Sequence, residues 1–443
     1  MARFLMATMP FAGHVNPALP IARKLVERGH EVWWYTGKRY QPKVEATGAR
    51  YVPMRAARDF DGERVGEEFP EWAQARGIAQ FKYALKHIFL DSGVGQLEDL
   101  TAILRDFPAD VLVAENSFTG APLLHWKGGP PWAVLGSTPL SIRSRDTAPF
   151  GLGMWPDSSR GGQVRNRALY WMFNHVLFRD VAAYANRVIT GLGLPPVPDP
   201  LGTGTLSPYL YLQGTTPAFE YPRSDLPPQV HFIGPILPTP PAEFEPPAWW
   251  DDLEGERPVV HVTQGTVSTE ASDLLVPTLR ALAEEEVLVV ATTGGAPVES
   301  LGLDTLPGNA RVERFVPHHY LLPRVDVMVT NGGYNGVQGA LAHGVPLVAA
   351  GTTEEKPEVC RRVEWAGAGI NLRRQRPTPE QIRAAVRRVL DEPTFKQNAR
   401  RVQADFANHD APAEAAVLLE QLAETKQPLL RTGPATEHKA RTL

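Results

Sequence analysis

The chain has 443 residues, of which 43% are hydrophobic and 21% are charged, and this globular composition excludes a largely disordered protein. Its length suits two or three domains. The 49 acidic residues outnumber the 45 basic ones, so the formal charge of -4 offers no basic excess and no nucleic-acid partner is expected.

The cysteine content and the hydropathy of the chain further limit its possible location and the kinds of site it can contain. Cys360 is the single cysteine, which excludes an internal disulfide and a cysteine-rich zinc site and favours a cytoplasmic location. The N-terminal residues carry no signal-peptide pattern, and no apolar run approaches the roughly 20 residues that span a bilayer. We therefore expect a protein without stable membrane insertion.

The first predicted elements form a strand–helix–strand unit. The apolar run 3–8 predicts a buried strand, and Asn16 followed by Pro17 predicts a capped helix that continues to about Arg28. The run 31–36 predicts the next strand. Such a unit implies a parallel sheet with a right-handed crossover. Further buried strands are predicted at 110–114 and 132–136.

Proline marks the joint between two halves of the chain. The stretch from Pro217 to Trp250 is too rich in proline for a helix or a central strand, so we interpret 219–249 as a stiff interdomain linker with one short strand at Val230–Ile233. Strands and helices alternate again after it. Strands are predicted at 259–263, 287–291, 327–330 and 347–350, and helices at 275–284, from the 331–336 turn to about 342, at 378–390 and at 393–423.

This order of elements predicts an α/β protein of two Rossmann-like, doubly wound domains that face each other across a cleft. The predicted domains cover 1–218 and 250–424, and a polar tail follows at 425–443. One form of this two-domain architecture has the last helix packed on the first domain.

A glycine-rich turn, Asn331–Gly336, lies between a predicted strand and a predicted helix. Glycines let the backbone approach an anion closely, and the start of the following helix offers N–H groups and a positive dipole end. The turn has neither the G-x-G-x-x-G spacing of a dinucleotide site nor the G-K-[ST] of a P-loop. A metal-free diphosphate site and an ordinary Asn-Gly turn both remain open.

His14 follows the first strand at the mouth of the predicted cleft, and Glu115 ends a neighbouring strand. A histidine held by a carboxylate can remove a proton from a hydroxyl near neutral pH. The alternative is a surface histidine, one of 12 in the chain.

Metal ligation has little support in the sequence. Asp59 and Asp61 form a D-x-D with no preceding strand, which is typical of a solvated loop, and the His318–His319 pair lacks a third ligand at metal spacing. We therefore expect no metal.

Aromatic residues are concentrated between Phe150 and Phe178. They can belong to the core, line a pocket for a large apolar substrate, or touch a membrane. Because basic residues are few there, we favour core plus pocket wall.

Several linked motifs now resemble a known family. Phe11–Pro17, Val316–Leu322, Asn331–Gly333 and Gly344–Pro346 occur in the order found in GT-B glycosyltransferases, and the chain is similar over nearly its whole length to bacterial macrolide-type members of the UDP-glycosyltransferase family. The resemblance implies an N-terminal acceptor domain and a C-terminal nucleotide-sugar domain. It implies an inverting, metal-independent hexosyltransferase that moves a sugar from a UDP-sugar or dTDP-sugar to a hydroxyl of an apolar natural product. A monomer or homodimer is expected.

The resemblance also assigns roles to residues. His14 takes the place of the general base and Glu115 that of its orienting aspartate. Glu355 and Lys356 replace the Asp-Gln pair that binds the sugar, and the ribose-binding glutamate falls at Gly339. The expected nucleotide and diphosphate residues are Thr266, Phe315, Val316, His318, Asn331, Gly332, Gly333, Asn335, Gly336 and Gln338, and the expected acceptor pocket comprises Phe11, Trp155, Tyr170, Trp171 and Phe173.

Two other functions remain open at this point. A nucleotide-sugar epimerase or hydrolase of the same architecture would act without an acceptor. A non-catalytic nucleotide-sugar-binding partner protein is the other alternative, because Asn331 stands where the family has a phosphate-facing histidine.

Overall fold

The structure is a computed structural model that describes residues 1–202, 206–241, 243–265 and 271–431. In this part of the chain two parallel β-sheets, each covered by helices, form two lobes. The first sheet contains β1 (Arg3–Ala7), β2 (Glu31–Thr36), β3 (Arg50–Pro53), β4 (Val111–Glu115), β5 (Trp132–Gly136), β6 (Leu210–Gln213) and β7 (Val230–Phe232). The second contains β8 (Val259–Thr263), β9 (Leu288–Thr292), β10 (Ala310–Glu313), β11 (Val327–Thr330), β12 (Leu347–Ala349) and β13 (Gly369–Asn371).

The strand orders are β3-β2-β1-β4-β5-β6-β7 and β10-β9-β8-β11-β12-β13, and neighbouring strands pair in parallel. In both sheets the order reverses beside the first strand, as in doubly wound α/β folds, and such a switch point opens a crevice for ligands. The predicted α/β architecture of two Rossmann-like lobes is confirmed.

Helices fill the connections in both lobes. In the first lobe these are α1 (Ala12–Val15), α2 (Ala18–Glu27), α3 (Gln41–Glu45), α4 (Val65–Glu68), α5 (Pro70–Gln74), α6 (Gly77–Tyr83), α7 (Asp91–Asp106), α8 (Gly120–Trp126), α9 (Arg160–Met172) and α10 (Arg179–Gly191). After the second sheet begins they are α11 (Leu275–Leu282), α12 (His318–Leu321), α13 (Tyr334–Ala342), α14 (Lys356–Trp365), α15 (Pro379–Asp391), α16 (Pro393–Phe406) and α17 (Ala411–Thr425). Single π-helical segments cover Ala84–Leu90 and Phe173–Leu177, and short 3₁₀ turns cover Lys38–Tyr40, Trp250–Glu254, Val298–Leu301 and Leu322–Arg324.

The central strands are apolar along their length because helices cover both faces of each sheet. On β1, Leu5 and Ala7 belong to one hydrophobic core, and Phe4 and Met6 belong to the core on the opposite face. Strand register then places the loops. Ala7 pairs with Ala114, so β1 and β4 end side by side. Thr263 pairs with Thr330 in the same way, which brings the loops after β8 and β11 together.

Most predicted strands agree with the structure. Those at 31–36, 132–136, 259–263 and 327–330 are confirmed to the residue, and the short strand near Val230 is the edge strand β7. The predicted cap of the first long helix is wrong, because the side chain of Asn16 accepts from Nζ of Lys43 at 3.1 Å and Pro17 occupies the cap position.

The predicted single helix at 393–423 is also wrong. It is divided into α16 and α17, because Asp410 caps a new helix by accepting the Ala413 N–H at 3.2 Å. α17 then packs on the first lobe, where Leu419 and Leu422 share a core with β1 and α2. The domain and linker bounds given by the sequence stay predictions.

Candidate active site between the lobes

His14 and Glu115 meet at the carboxyl ends of β1 and β4. Because these strands are paired in register, the segment after β1 lies beside the end of β4, where Glu115 is fully buried. Nδ1 of His14 lies 3.0 Å from Oε1 of Glu115. Glu115 is fixed in turn, since its Oε2 accepts the Ser117 N–H at 2.6 Å. The structure thus brings these two predicted residues together.

The charge on His14 is controlled by carboxylates from both lobes. The pair with Glu115 is close in distance but is not aligned as a hydrogen bond, which is common in catalytic pairs before substrate binds. Burial lowers the pKa of His14, but Glu115, with smaller contributions from Glu355 and Glu354, raises it, and the net pKa stands above its ordinary value. The side chain remains 18% exposed, so the imidazole can exchange a proton with a bound group.

Aromatic rings lie beside His14 on its own lobe. The ring centroid of Phe11 is 5.3 Å from those of His14 and Phe60 and 6.1 Å from that of Phe89. Phe60 and Phe89 come from distant segments, so their place beside Phe11 depends on the fold. The result is an apolar wall next to the imidazole.

The D-x-D sequence around Phe60 has its carboxylates on the lobe surface. Asp59 accepts the Lys38 N–H at 2.9 Å, and Asp61 pairs with Arg39 at 2.6 Å. Within residues 1–202, 206–241, 243–265 and 271–431, no three His, Cys, Asp or Glu side chains are grouped so that they could hold a metal ion. In the same part of the chain no helix is long and apolar enough to cross a membrane.

In the second lobe the turn after β11 has a fixed shape. Gly332 has a φ of +84°, and a Cβ at this position would lie 2.5 Å from Sγ of Cys360, so only glycine fits without strain. The side-chain amide of Asn331 donates to the carbonyl of Gln264, and its Oδ1 accepts the Gly333 N–H at 3.3 Å. Asn331 therefore ties the turn to the neighbouring loop.

This turn leads directly into α13, whose first residue is Tyr334. The helix has no side-chain cap, and the Val337 N–H closes the first helical turn on the carbonyl of Gly333 at 3.0 Å. The amides of Tyr334, Asn335 and Gly336 therefore have no partner within the helix. Asn335 and Gly336 are half-buried. An uncapped helix start of this kind can bind an anion. Thr266, also predicted for the diphosphate, lies outside the described residues.

The segment before α14 brings charges close to this turn. The side chain of Lys356 is 4% exposed, and its ammonium donates to the Glu354 carboxylate and lies 3.5 Å from Oγ1 of Thr353. Burial and Glu354 raise the pKa of Glu355 and outweigh Lys356 and His14, which lower it, so the net pKa stands above its ordinary value. The backbone at 151–153 of the first lobe is hydrogen-bonded to the first turn of α14, so the two lobes meet beside this segment. Glu355 contributes to raising the pKa of His14.

The segment after β10 carries three predicted nucleotide residues. Phe315 is 69% exposed, and Val316 is buried beside it. Nε2 of His318 lies 3.3 Å from Nε2 of His261, whose Nδ1 lies 2.9 Å from the carbonyl oxygen of Val290. Since a carbonyl only accepts, His261 carries its proton on Nδ1 and accepts from His318, which leaves Nδ1 of His318 as an acceptor. Burial lowers the pKa of His261 to about 3 and that of His318 to about 4, so both rings are neutral.

Two hydrogen-bond acceptors, Nδ1 of His318 and Oε1 of Gln338, belong to residues on or beside the second turn of α13. A Cβ on Gly339 would lie 3.8 Å from Nδ1 of His318. Gln338, the next residue toward the helix start, is buried and its Oε1 has no partner. A ligand hydroxyl or N–H beside Gly339 could donate to Nδ1 of His318.

Trp155 and Tyr170, predicted for the acceptor pocket, lie toward the lobe junction. The ring of Trp155 packs against Trp365 at 5.9 Å between centroids and under the guanidinium of Arg361. Tyr170 is buried, and its hydroxyl donates to the carbonyl of Ala148 at 3.4 Å. Neither ring is among those that pack on Phe11.

The last two predicted pocket residues lie on and after α9. Phe173 stacks on Phe178 at 4.2 Å, and Trp171 is 60% exposed and packs against His175. Of the predicted pocket residues, the structure brings only Phe11 into ring contact with His14.

Comparisons with known proteins identify the family of this chain. Residues 278–422 match the family described as Erythromycin biosynthesis protein CIII-like, C-terminal domain. The chain is 51% identical to 4'-demethylrebeccamycin synthase of Lentzea aerocolonigenes over 422 residues, which cover 95% of this chain and 99% of that protein. It is 36% identical to UDP-glycosyltransferase 2 of Phaeomoniella chlamydospora over 437 residues, 95% of each chain. The chain belongs to the UDP-glycosyltransferase family.

Solved structures show that this glycosyltransferase has the GT-B fold. The calicheamicin glycosyltransferase CalG4 matches 97% of this chain and all of its own with a TM-score of 0.75 at 22% identity. The glycosyltransferase VinC, solved with dTDP, matches 95% of this chain and 99% of its own with a TM-score of 0.68 at 22% identity. The protein is therefore a GT-B enzyme of the natural-product type.

Some residues of this glycosyltransferase site escaped sequence reasoning. Phe60, Phe89 and His261 carry no motif, although His261 could have been found because it lies on a buried strand directly before the cleft. A polar side chain in a strand that is otherwise apolar needs a buried partner, and this was the available signal.

Proposed function

We propose that this glycosyltransferase moves a hexosyl group from a UDP-sugar or dTDP-sugar to a hydroxyl of an apolar small molecule, with inversion at the anomeric carbon and without a metal ion. The observation that carries the proposal is the 3.0 Å approach of His14 to Glu115 at the mouth of a cleft whose opposite wall holds Glu355. A base on one lobe and an anion site on the other suit direct displacement.

In the proposed step, neutral His14 accepts the proton of the acceptor hydroxyl as its oxygen forms a bond to the anomeric carbon. The bond from that carbon to the phosphate oxygen breaks, and its electron pair leaves with the nucleoside diphosphate. Glu115 stabilises the imidazolium that forms. Attack opposite the leaving group inverts the anomeric configuration.

The leaving diphosphate gains negative charge in this step. We propose that the amides of Asn335 and Gly336 and the dipole of α13 stabilise that charge. Gly332 and Gly333 are proposed to shape the turn, because their own amides are bound to Oγ1 of Thr330 and Oδ1 of Asn331. Asn331 contributes by holding the turn, since one of its amide protons is already bound to Gln264. Thr266 is proposed as a further donor. Such fixed donors can perform the role that a divalent cation performs elsewhere.

The rest of the donor has candidate contacts on the second lobe. Exposed Phe315 offers a stacking surface for the base beside Val316, and His318 and Gln338 offer acceptors to the ribose or base. Glu355 and Lys356 are proposed to bind the sugar hydroxyls. One relative is a UDP-glycosyltransferase, and one structurally similar protein was solved with dTDP. Both UDP-sugars and dTDP-sugars are therefore proposed as donors.

The acceptor is proposed to bind against the apolar wall of Phe11, Phe60 and Phe89, and Trp155, Tyr170, Trp171 and Phe173 remain candidates for a wider pocket. A relative with half of its residues identical is a 4'-demethylrebeccamycin synthase, which supports a natural-product acceptor. We also propose a cytoplasmic monomer or homodimer.

A donor and acceptor screen tests the proposal. Nucleotide sugars are ranked by thermal shift, and those that bind are incubated with macrolide, flavonoid and terpenoid aglycones in buffer with and without EDTA. We expect a mass gain of one hexose that is unaffected by EDTA. Consumption of donor without an acceptor would point to an epimerase or hydrolase, and binding without turnover would point to a non-catalytic protein.

A further inference from the structure

A buried set of charges joins the two lobes beside the cleft. Arg362 on α14 is 1% exposed, and its Nε and Nη2 donate to Oε1 of Glu220 at 2.9 and 2.5 Å. Its Nη1 donates to Oε2 of Glu358 at 3.0 Å. Glu220, which lies between β6 and β7, also accepts the Leu140 N–H at 3.0 Å. Buried charges are stable only when each is paired, so these groups have one favourable arrangement.

Glu358 extends this set to a loop of the first lobe. Its Oε1 accepts the N–H groups of Gly151 and Gly153, both at 2.9 Å. Arg361 adds a bond from Nε to the carbonyl of Gly153 at 2.8 Å. A Cβ on Gly153 would lie 3.0 Å from the carbonyl oxygen of Pro357, so this backbone rests directly on the first turn of α14.

The anchored turn of α14 is the one that carries the cleft residues. α14 begins at Lys356, immediately after Glu355. Glu358 lies three residues after Glu355, in the first turn of the helix. Any movement of this turn relative to the first lobe would change the gap between Glu355 and His14. The turn after β11 packs on Lys356 and Cys360 of α14 within the second lobe, so the turn and α14 are expected to move together if the contact with the first lobe is lost.

We propose that Glu358 and Arg362 are positioning residues for sugar transfer, which hold α14 against the loop that carries Gly151 and Gly153 so that Glu355 stays opposite His14. The proposal rests on the proposed function of the cleft. Neither residue needs to touch a substrate. The lobe contact would therefore control the transfer step and leave nucleotide binding to the second lobe.

Two substitutions separate this role from a general effect on the fold. Glu358→Ala removes both loop bonds and one of the two carboxylate partners of Arg362. Glu358→Gln keeps an acceptor for the loop amides but removes the charge. Glu285→Gln is the matched control, because Glu285 binds Arg387 through two bonds of 2.8 Å within the second lobe. Each variant is checked for UDP affinity by calorimetry, for kcat and KM, and for the titration of His14 by NMR.

We expect Glu358→Ala to lose about tenfold or more in kcat while its UDP affinity stays within about twofold of wild type, with Glu358→Gln intermediate and Glu285→Gln unchanged. The NMR titration of His14 should move to lower pH in Glu358→Ala, because Glu355 and the adjacent Glu354 no longer face the ring, while Glu115 on the first lobe remains.

Wild-type kcat and wild-type His14 titration in Glu358→Ala would overturn the proposal, as would a loss of UDP affinity that matches the loss of kcat. If Glu358→Ala does not fold, the same criteria apply to Glu358→Gln. Because the His14 titration needs no turnover, the proposal can be judged even if the screen finds no transfer, and that result would count only against the proposed function.

Discussion

Glu355 of the second lobe and His14 of the first shift each other's pKa across the cleft. Glu355 favours the protonated imidazole, and the imidazolium favours the ionised carboxylate. The proposed base and the proposed sugar-binding residue are therefore electrostatically coupled, although they belong to different sheets. This coupling makes pH a direct probe of the cleft.

Glu115→Gln should alter the pH dependence of transfer. Glu115 raises the pKa of His14, and the base acts only when it is neutral, so the acidic limb of the wild-type profile follows this raised pKa. In the variant the limb should move to lower pH, and the maximal rate should fall roughly 100-fold because the imidazolium loses its partner. A pH series of kcat/KM measures both effects. An unshifted limb would remove Glu115 from control of the base.

The same ion pair should affect stability. The pKa of His14 is higher in the folded protein than its ordinary value, so the protonated ring favours folding. This contribution is fully present below the ordinary pKa of about 6.5 and is lost as pH rises through the raised folded pKa. Thermal unfolding across that window should show a smaller slope in Glu115→Gln than in wild type. Equal slopes would contradict the assigned pair.

Gly332→Ala should damage the turn after β11. The φ of +84° is unfavourable for alanine, and its Cβ would press on Sγ of Cys360. We expect a loss of about 1–3 kcal/mol in unfolding free energy and weaker UDP binding. Gly333→Ala is the control for stability, since Gly333 has a φ of -62° and its Cβ would come no closer than 3.7 Å to its neighbours. Denaturant melts compare the two, and equal midpoints would contradict the constraint at Gly332.

The paired rings of His261 and His318 should keep donor binding independent of pH. Their pKa values of about 3 and about 4 leave both neutral throughout the range in which histidine ordinarily titrates. Calorimetry with UDP-glucose, whose bridging phosphates do not titrate near neutrality, is carried out in a His14→Ala background so that the titration of His14 does not contribute, and it should give a constant Kd between about pH 6 and 8. A Kd that tightens as pH falls through this range would mean that one ring becomes charged when the donor binds.

Much of the fold could be predicted because its central strands are apolar runs bounded by glycine or proline. β3, β10 and β13 were missed because they are short edge strands, such as Arg50–Pro53, without a clear alternation of apolar and polar residues. The inner strand β6 was also missed, because it is only four residues long. The helix break before Asp410 was missed because a local cap overrode a long helical pattern.

The candidate site was partly predictable for a related reason. His14, Glu115 and Asn331 follow strands, and the carboxyl ends of parallel strands are where ligands bind. Phe89 and Glu358 could not be found in this way, because their positions depend on how a helix packs and how the lobes meet.

The anomeric configuration of the product, measured together with His14→Ala, tests the central claim most directly. An α-linked nucleotide sugar should give a β-linked product by NMR, and His14→Ala should lower kcat about 100- to 10,000-fold while UDP affinity stays unchanged. His409→Ala is the matched control, because Nδ1 of His409 lies 2.9 Å from Glu414 in a similar pair outside the cleft. A product with retained configuration, or a His14→Ala enzyme as fast as wild type, would contradict direct displacement by an acceptor that His14 activates.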